Sequence, residues 1–153
     1  MSRYLPERSF PSYAFIPGEN IHPNKEGGHS FGEDEVISSP LSLENKDYLF
    51  AIDLINHGYY WEAHVYLEAI WNAHQREGDS ADFCKALIKM CAAGVKFKLS
   101  SEQAALGHIE RAEELFLKVD DSKIDSGIST NDLIKICDKL KDGIFSKIEL
   151  QLS

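Results

Sequence analysis

Proline is absent from everything beyond Pro40. The five prolines, Pro6, Pro11, Pro17, Pro23 and Pro40, crowd into the opening segment together with Gly18, Gly27, Gly28 and Gly32. Proline removes a backbone donor and blocks helix interiors, so residues 1–42 hold no long helix, while the proline-free remainder is unobstructed. Cysteine is scarce. Cys84, Cys91 and Cys137 are odd in number and form no Cys-x-x-Cys pair. That excludes a disulfide framework or a cysteine zinc site and predicts buried, reduced thiols in a cytoplasmic protein.

Positive charge is also in short supply. The net charge is −9 over 153 residues. A nucleic-acid backbone is therefore not the expected partner, since phosphate binding needs a positive face. No apolar run is long enough to span a bilayer, the longest lying around Met90 to Val95. Met1 to Phe15 carries charges, two prolines and no apolar run, so no secretory leader is expected. Also missing are a Gly-x-Ser-x-Gly nucleophile motif, a phosphate loop and a dinucleotide glycine pattern. His29 and Ser30 are neighbours, but on an extended chain adjacent side chains point apart, so no nucleophile pair is expected there.

What is present is aromatic and helical. Tyr4, Phe10, Tyr13, Phe15 and Phe31 make the first 42 residues too apolar for a solvated arm. An extended segment laid across a helical body (residues 43–153) is expected, anchored by its aromatics, with His22 or His29 delivered over a site on the helices. From Leu43 onward the apolar period is that of helices. The spacing predicts helices over about Asn45 to His57, Tyr59 to Gln75, Ala81 to Leu99, Ser100 to Val119 and Asn131 to Leu150, the last burying Ile144 and Ile148. Gly58 should end the first as a left-handed cap and force an antiparallel hairpin. Gly78-Asp79-Ser80 offers an N-cap for the third helix, and Ser100 with Gln103 reads as a capping box opening the fourth. No segment alternates at period two for long enough to require a strand. The fold class is all-α, a five-helix bundle built on antiparallel hairpins, in a single domain.

The richest stretch is Asn56 to Trp71. In a helix it places Trp61, His64, Glu68 and Trp71 on one stripe. His64 and Glu68 are spaced i, i+4, and imidazole with carboxylate is half of a common site for zinc, iron or manganese. Asp53 and His57 have the same spacing just before the turn and, in a hairpin, would face the first pair. His22 and His29 are further candidate ligands. His57 could equally cap the end of its helix, and His64 with Glu68 could be a hydrogen-bonded core pair. Glu62, one step before Ala63, points to solvent or to the third helix. Trp61 and Trp71 are read as packing. Lys85, Lys89 and Lys96 form a polar strip on the third helix, and Lys89 or Lys96 is a candidate anion ligand meeting the histidines under the N-terminal segment.

At these residues the chain resembles the bacterial and archaeal domain of unknown function family 309. The motif His-x-x-x-Glu-x-x-Trp falls on His64, Glu68 and Trp71, led by Asn56-x-Gly58-x-Tyr60-Trp61-Glu62-Ala63. Leu87-Ile88-Lys89, Ala92 to Lys96, and His108 with Arg111-Ala112 are similar to the rest of that domain. Pro17-Gly18, His22-Pro23 and Gly28 to Gly32 resemble the N-terminal extension of a longer subgroup. The match departs at Val65, where the family places a polar or acidic residue. The resemblance implies a compact helical bundle with a metal-binding or active site at the motif, and no particular reaction. Two functional readings follow. One is a metal-dependent site on His64 and Glu68. The other is a scaffold of tetratricopeptide-like hairpins with a protein partner. A small-molecule partner and self-association both stay open.

Overall fold

Asn45 starts the first helix by accepting hydrogen bonds from the backbone of Asp47 and Tyr48. This computed structural model describes residues 2–142, 145 and 147–153. Helix α1 (Lys46–Asn56) ends in a left-handed Gly58, at φ 84°. Gly58 N donates to Ile55 O and Tyr59 N to Leu54 O, at 3.1 and 2.8 Å. These two bonds satisfy carbonyls that the helix end would orphan. Lys98 Nζ adds a 2.6 Å bond to Gly58 O. Helix α2 (Tyr60–Ala73) then runs back along α1. Helices α3 (Asp79–Lys98), α4 (Glu102–Lys118) and α5 (Thr130–Lys141) follow, with a short 3-10 turn at Asp121–Lys123. Each helix packs on the next in sequence, and α3 is sandwiched between α2 and α4. The fold is an all-α, five-helix arrangement, with no strand among the described residues. Among the described residues no helix is long and apolar enough to cross a membrane.

Three boundaries depart from the sequence reading. Helix α3 begins at Asp79, with Gly78 before it and no side-chain cap; the Asp79 carboxylate accepts from Asp120 N instead. Ser100 is no capping-box residue. It sits at φ 57° and terminates α3, while Ser101 precedes α4 without a side-chain bond. Helix α5 stops at Lys141, and residues 147–153 are not helical. Ile148 and Leu150 are buried as expected, but from an irregular tail. The buried amide of Asn56 donates to Leu150 O (2.9 Å) and accepts from Leu150 N (2.6 Å). Backbone groups inside a helix are already spent on one another and could not pair this way. Ile144 lies outside the described residues.

The N-terminal segment is tied down by a buried carboxylate. Asp53 of α1 is fully buried and accepts from Tyr4 N (2.8 Å), Leu5 N (2.9 Å) and Arg3 Nε (3.3 Å). Leu5, Phe15 and Leu41 are buried, and Phe10 stacks on Tyr59 at 5.0 Å. Phe31 is not an anchor, being 57% exposed, and Ile21 is also exposed. The loop that carries them is closed on itself as well as held to α2: Ser30 N bonds Pro23 O and Tyr13 Oη bonds Ile21 O. Near its end Leu41 N donates to His74 Nε2 at 2.9 Å. The three cysteines are buried and free. Burial pushes the Cys84 and Cys137 thiols up to about 12, and Cys91 further.

Asp53→Ala leaves two backbone donors and a guanidinium without their acceptor. We expect a loss of about 3 kcal/mol in urea unfolding, with rapid proteolysis confined to the first 40 residues. Burial lowers the His74 imidazole below its ordinary range. Its protonation would also break the bond from Leu41. The folded state therefore binds this proton less well than the unfolded chain, so stability is full at neutral pH. It declines as pH falls below about 6.5, the unfolded value. Denaturation at pH 7.5 and 5.5 should show a smaller drop in His74→Gln than in the wild type.

Candidate functional site

Helix α2 is apolar on two faces. Tyr60, Ala63, Leu67 and Ile70 enter the helical core. One step round, Glu62, Tyr66 and Ala69 face the N-terminal segment, which forms a roof over them. Between roof and helix lies a cleft of about 580 Å³. Trp61, His64 and Glu68 line it from α2, His29 and Ser30 from the roof, and Arg8 and Phe10 from the segment's start.

Glu62 is the pivot of this region, and the sequence reading placed it wrongly. It is 3% exposed and points to neither solvent nor α3. Its Oε2 accepts from Phe15 N (2.8 Å) and meets His29 Nε2 at 2.6 Å. Its Oε1 is buried with no hydrogen-bond partner among the described residues. A signal was available: Glu62 is the one charge on a stripe otherwise made of Val65, Tyr66 and Ala69. A helix apolar all round must be covered on both faces. Ser30 was also passed over. His29 Nδ1 lies 2.8 Å from Ser30 Oγ. Adjacent side chains meet here because the chain turns at Gly28-His29-Ser30 instead of running extended. The turn needs Gly28, where a Cβ would collide with the carbonyl oxygens of His22 and Pro23.

His64 and Glu68 are not a core pair. The stripe of Trp61, His64, Glu68 and Trp71 lies about 100° round the helix from the core face. His64 and Glu68 are 29% and 52% exposed at the side chain, and their closest N–O approach is 3.9 Å. The carbonyl of Trp61 accepts from His64 Nδ1, which leaves the Nε2 lone pair open in the neutral ring. Trp61 stands among three imidazoles, with ring centroids 5.4 Å from His22, 6.4 Å from His29 and 5.2 Å from His64. His22 accepts from Asn24 N through Nδ1.

The remaining candidates are elsewhere. Asp53 is consumed by the N-terminal backbone, and His57 Nδ1 donates to Asp53 O at the helix end, 4.9 Å from the Phe10 ring. The two i, i+4 pairs therefore do not converge, because the Asp53 carboxylate turns toward the N-terminal segment. Lys89 and Lys96 do not meet His22 or His29. Their charges bear on His108 of α4, whose imidazole is held low first by burial and then by these lysines. Trp71 packs between Arg76 and Lys85, whose cationic groups lie 4.9 and 4.6 Å from its ring. Lys98 is the cation whose charge bears on Glu62; burial lowers its ammonium, and Glu62 and Glu19 oppose that shift.

Among the described residues no group of three or more His, Cys, Asp or Glu side chains is assembled to hold a metal ion. His64 and Glu68 would be two ligands without a third, so the residues do not fit a preassembled zinc, iron or manganese centre.

Residues 48–107 match the family model described as Domain of unknown function (DUF309). That segment belongs to the DUF309 family. It runs from α1 into α4 and contains Asp53, Glu62, His64, Glu68 and Trp71. The roof with His22, His29 and Ser30 lies outside the DUF309 match. No curated protein and no solved structure matches the chain.

Gly28→Ala should open the turn and draw His29 away from Glu62. Hydrogen exchange should then accelerate at the Phe15 and Ser30 amides, by tenfold or more on a rough scale of ~1.4 kcal/mol per decade. Amides of α3 and α4 should be unchanged.

Proposed function

We propose that the cleft over the outer face of α2 is the protein's working site and that it binds a small polar molecule. The observation that carries this reading is the shared space. The motif pair His64 and Glu68, the wall of Trp61, and the His29–Ser30 pair held by Glu62 all line one cleft of about 580 Å³. That volume is in the range of small-molecule sites, and the lining sets Phe10, Trp61 and Val65 beside about as much polar surface, which suits a polar occupant. The rim favours neutral or cationic occupants, because Glu33, Asp34, Glu35 and Glu68 outnumber Arg8, which is paired with Asp47 at 2.9 Å.

Two observations favour a role in binding over one in stability for His64 and Glu68. Both are solvent-accessible, and a pair of this exposure and separation contributes little to folding, about 0–1 kcal/mol. One detail supports a second reading, a divalent ion shared between protein and ligand: His64 Nε2 is left open beside Glu68. A scaffold role with a protein partner would leave the cleft idle.

The test is a small-molecule screen against the full chain, read by tryptophan fluorescence and thermal shift, together with elemental analysis. His64→Ala and Glu68→Ala should melt within ~2 °C of the wild type, as surface changes do, and should lose the wild type's ligands. A wild type with no ligand, or variants that bind as well as it does, would remove the cleft as the working site. Metal retained by the wild type and lost in both variants would favour the second reading.

A further inference from the structure

Ser30, His29 and Glu62 form a hydrogen-bonded chain with fixed polarity. A carboxylate can only accept, so His29 Nε2 carries the proton that lies on Glu62 Oε2, 2.6 Å away. In the neutral imidazole the remaining nitrogen, Nδ1, is then an acceptor. It sits 2.8 Å from Ser30 Oγ, and the hydroxyl proton is what it accepts. Glu62 is restrained, because Phe15 N also donates to the same oxygen at 2.8 Å. The His29 and Glu62 side chains are 6% and 3% exposed, and in such surroundings hydrogen bonds are stronger than in water. Ser30 itself lines the cleft. A hydroxyl within reach of a base, with that base oriented by a third group, is the arrangement of an activated nucleophile. Such arrangements are recognised by geometry and roles, whatever the positions in sequence.

We propose that Ser30 is a nucleophile activated by His29, with Glu62 as a positioning residue, and that the cleft hydrolyses esters of neutral or cationic carboxylic acids. This rests on the cleft being the working site. In the first step Ser30 Oγ bonds to the ester carbonyl carbon and its proton passes to His29 Nδ1. The bond from carbon to the alkoxy oxygen breaks, and that oxygen leaves as the alcohol with the proton from Nδ1. In the second step water gives a proton to Nδ1 and its oxygen bonds to the acyl carbon. The Oγ–carbon bond breaks, the carboxylic acid departs and Ser30 regains its proton. Trp61, Val65 and Tyr66 offer an apolar wall to the acyl group, and Glu33, Asp34 and Glu35 on the rim repel anionic esters.

The experiment exposes the full chain to a fluorophosphonate probe, maps any adduct by mass spectrometry, and measures hydrolysis of p-nitrophenyl butyrate. The expected result is one adduct, on Ser30. Hydrolysis should fall at least about 100-fold in Ser30→Ala, on the scale of base-assisted catalysis. Glu62→Gln should lower kcat at unchanged KM, with an unaltered circular dichroism spectrum, which a purely structural glutamate would not do. Should Glu62→Gln fail to fold, Ser30→Cys replaces it: alkylation of that thiol by iodoacetamide should slow at least tenfold when His29→Gln is added, and an equal rate in the two variants overturns the proposal. No adduct, an adduct elsewhere, or undiminished hydrolysis in Ser30→Ala overturns the proposal. Small-molecule binding retained in Ser30→Ala alongside any of these would sink the nucleophile alone, while loss of all binding in the wild type would sink the cleft as well.

Discussion

An irregular strand of backbone can lie on a helical bundle only where its amides find acceptors, because each buried, unpaired donor costs about 1–3 kcal/mol. Here two carboxylates provide them from opposite sides of one tight hairpin. Asp53, near the end of α1, takes the backbone of Tyr4 and Leu5. Glu62, in the first turn of α2, takes that of Phe15 and the imidazole of His29. A buried carboxylate is expensive unless it is paired and hydrogen-bonded. Each acid and the backbone it holds therefore justify the other's burial. The Gly58 turn sets the spacing between them, and through that spacing it sets where the N-terminal segment can lie.

The cleft is a consequence of this arrangement. With the segment pinned at residues 4–5 and again at 15 and 29, the chain between passes over the outer face of α2 without filling it. Its closed loop presents His29 and Ser30 downward, and α2 presents Trp61, His64 and Glu68 upward. The DUF309 segment and the roof are thus two halves of one lining. The polar groups with the most constrained geometry, His29 and Glu62, come one from each half. The half-exposed pair His64 and Glu68 contributes chemistry to the same space without contributing much to its rigidity.

The helices were largely legible because their signals are local. Asn45 caps its own helix, Gly58 takes the left-handed conformation that an L side chain resists, and the apolar period of α1 to α4 survives intact. The tail after α5 was misread for a reason equally local: Leu140, Ile144 and Ile148 keep a helical interval, which masked the alternation of buried Ile148, exposed Glu149 and buried Leu150. What ended the helical reading was the distant amide of Asn56. The candidate site was legible as a region but not as a set. His29 does reach α2, and His64 and Glu68 do line the cleft, yet the residue that His29 meets is Glu62.

The physical reason lies in the two scales involved. By itself the sequence determined the elements, the hairpin and the stretch of α2 where aromatics and imidazoles gather, since propensity, capping and periodicity act within a few residues. The rotation of α2 and the company kept by each buried charge depended on segments far apart in the chain. One residue along a helix turns the side chain by about 100°, enough to exchange a core position for a cleft wall. Only the packing of residues 4–41 against α1 and α2 decided that Glu62 would be buried and His64 left open.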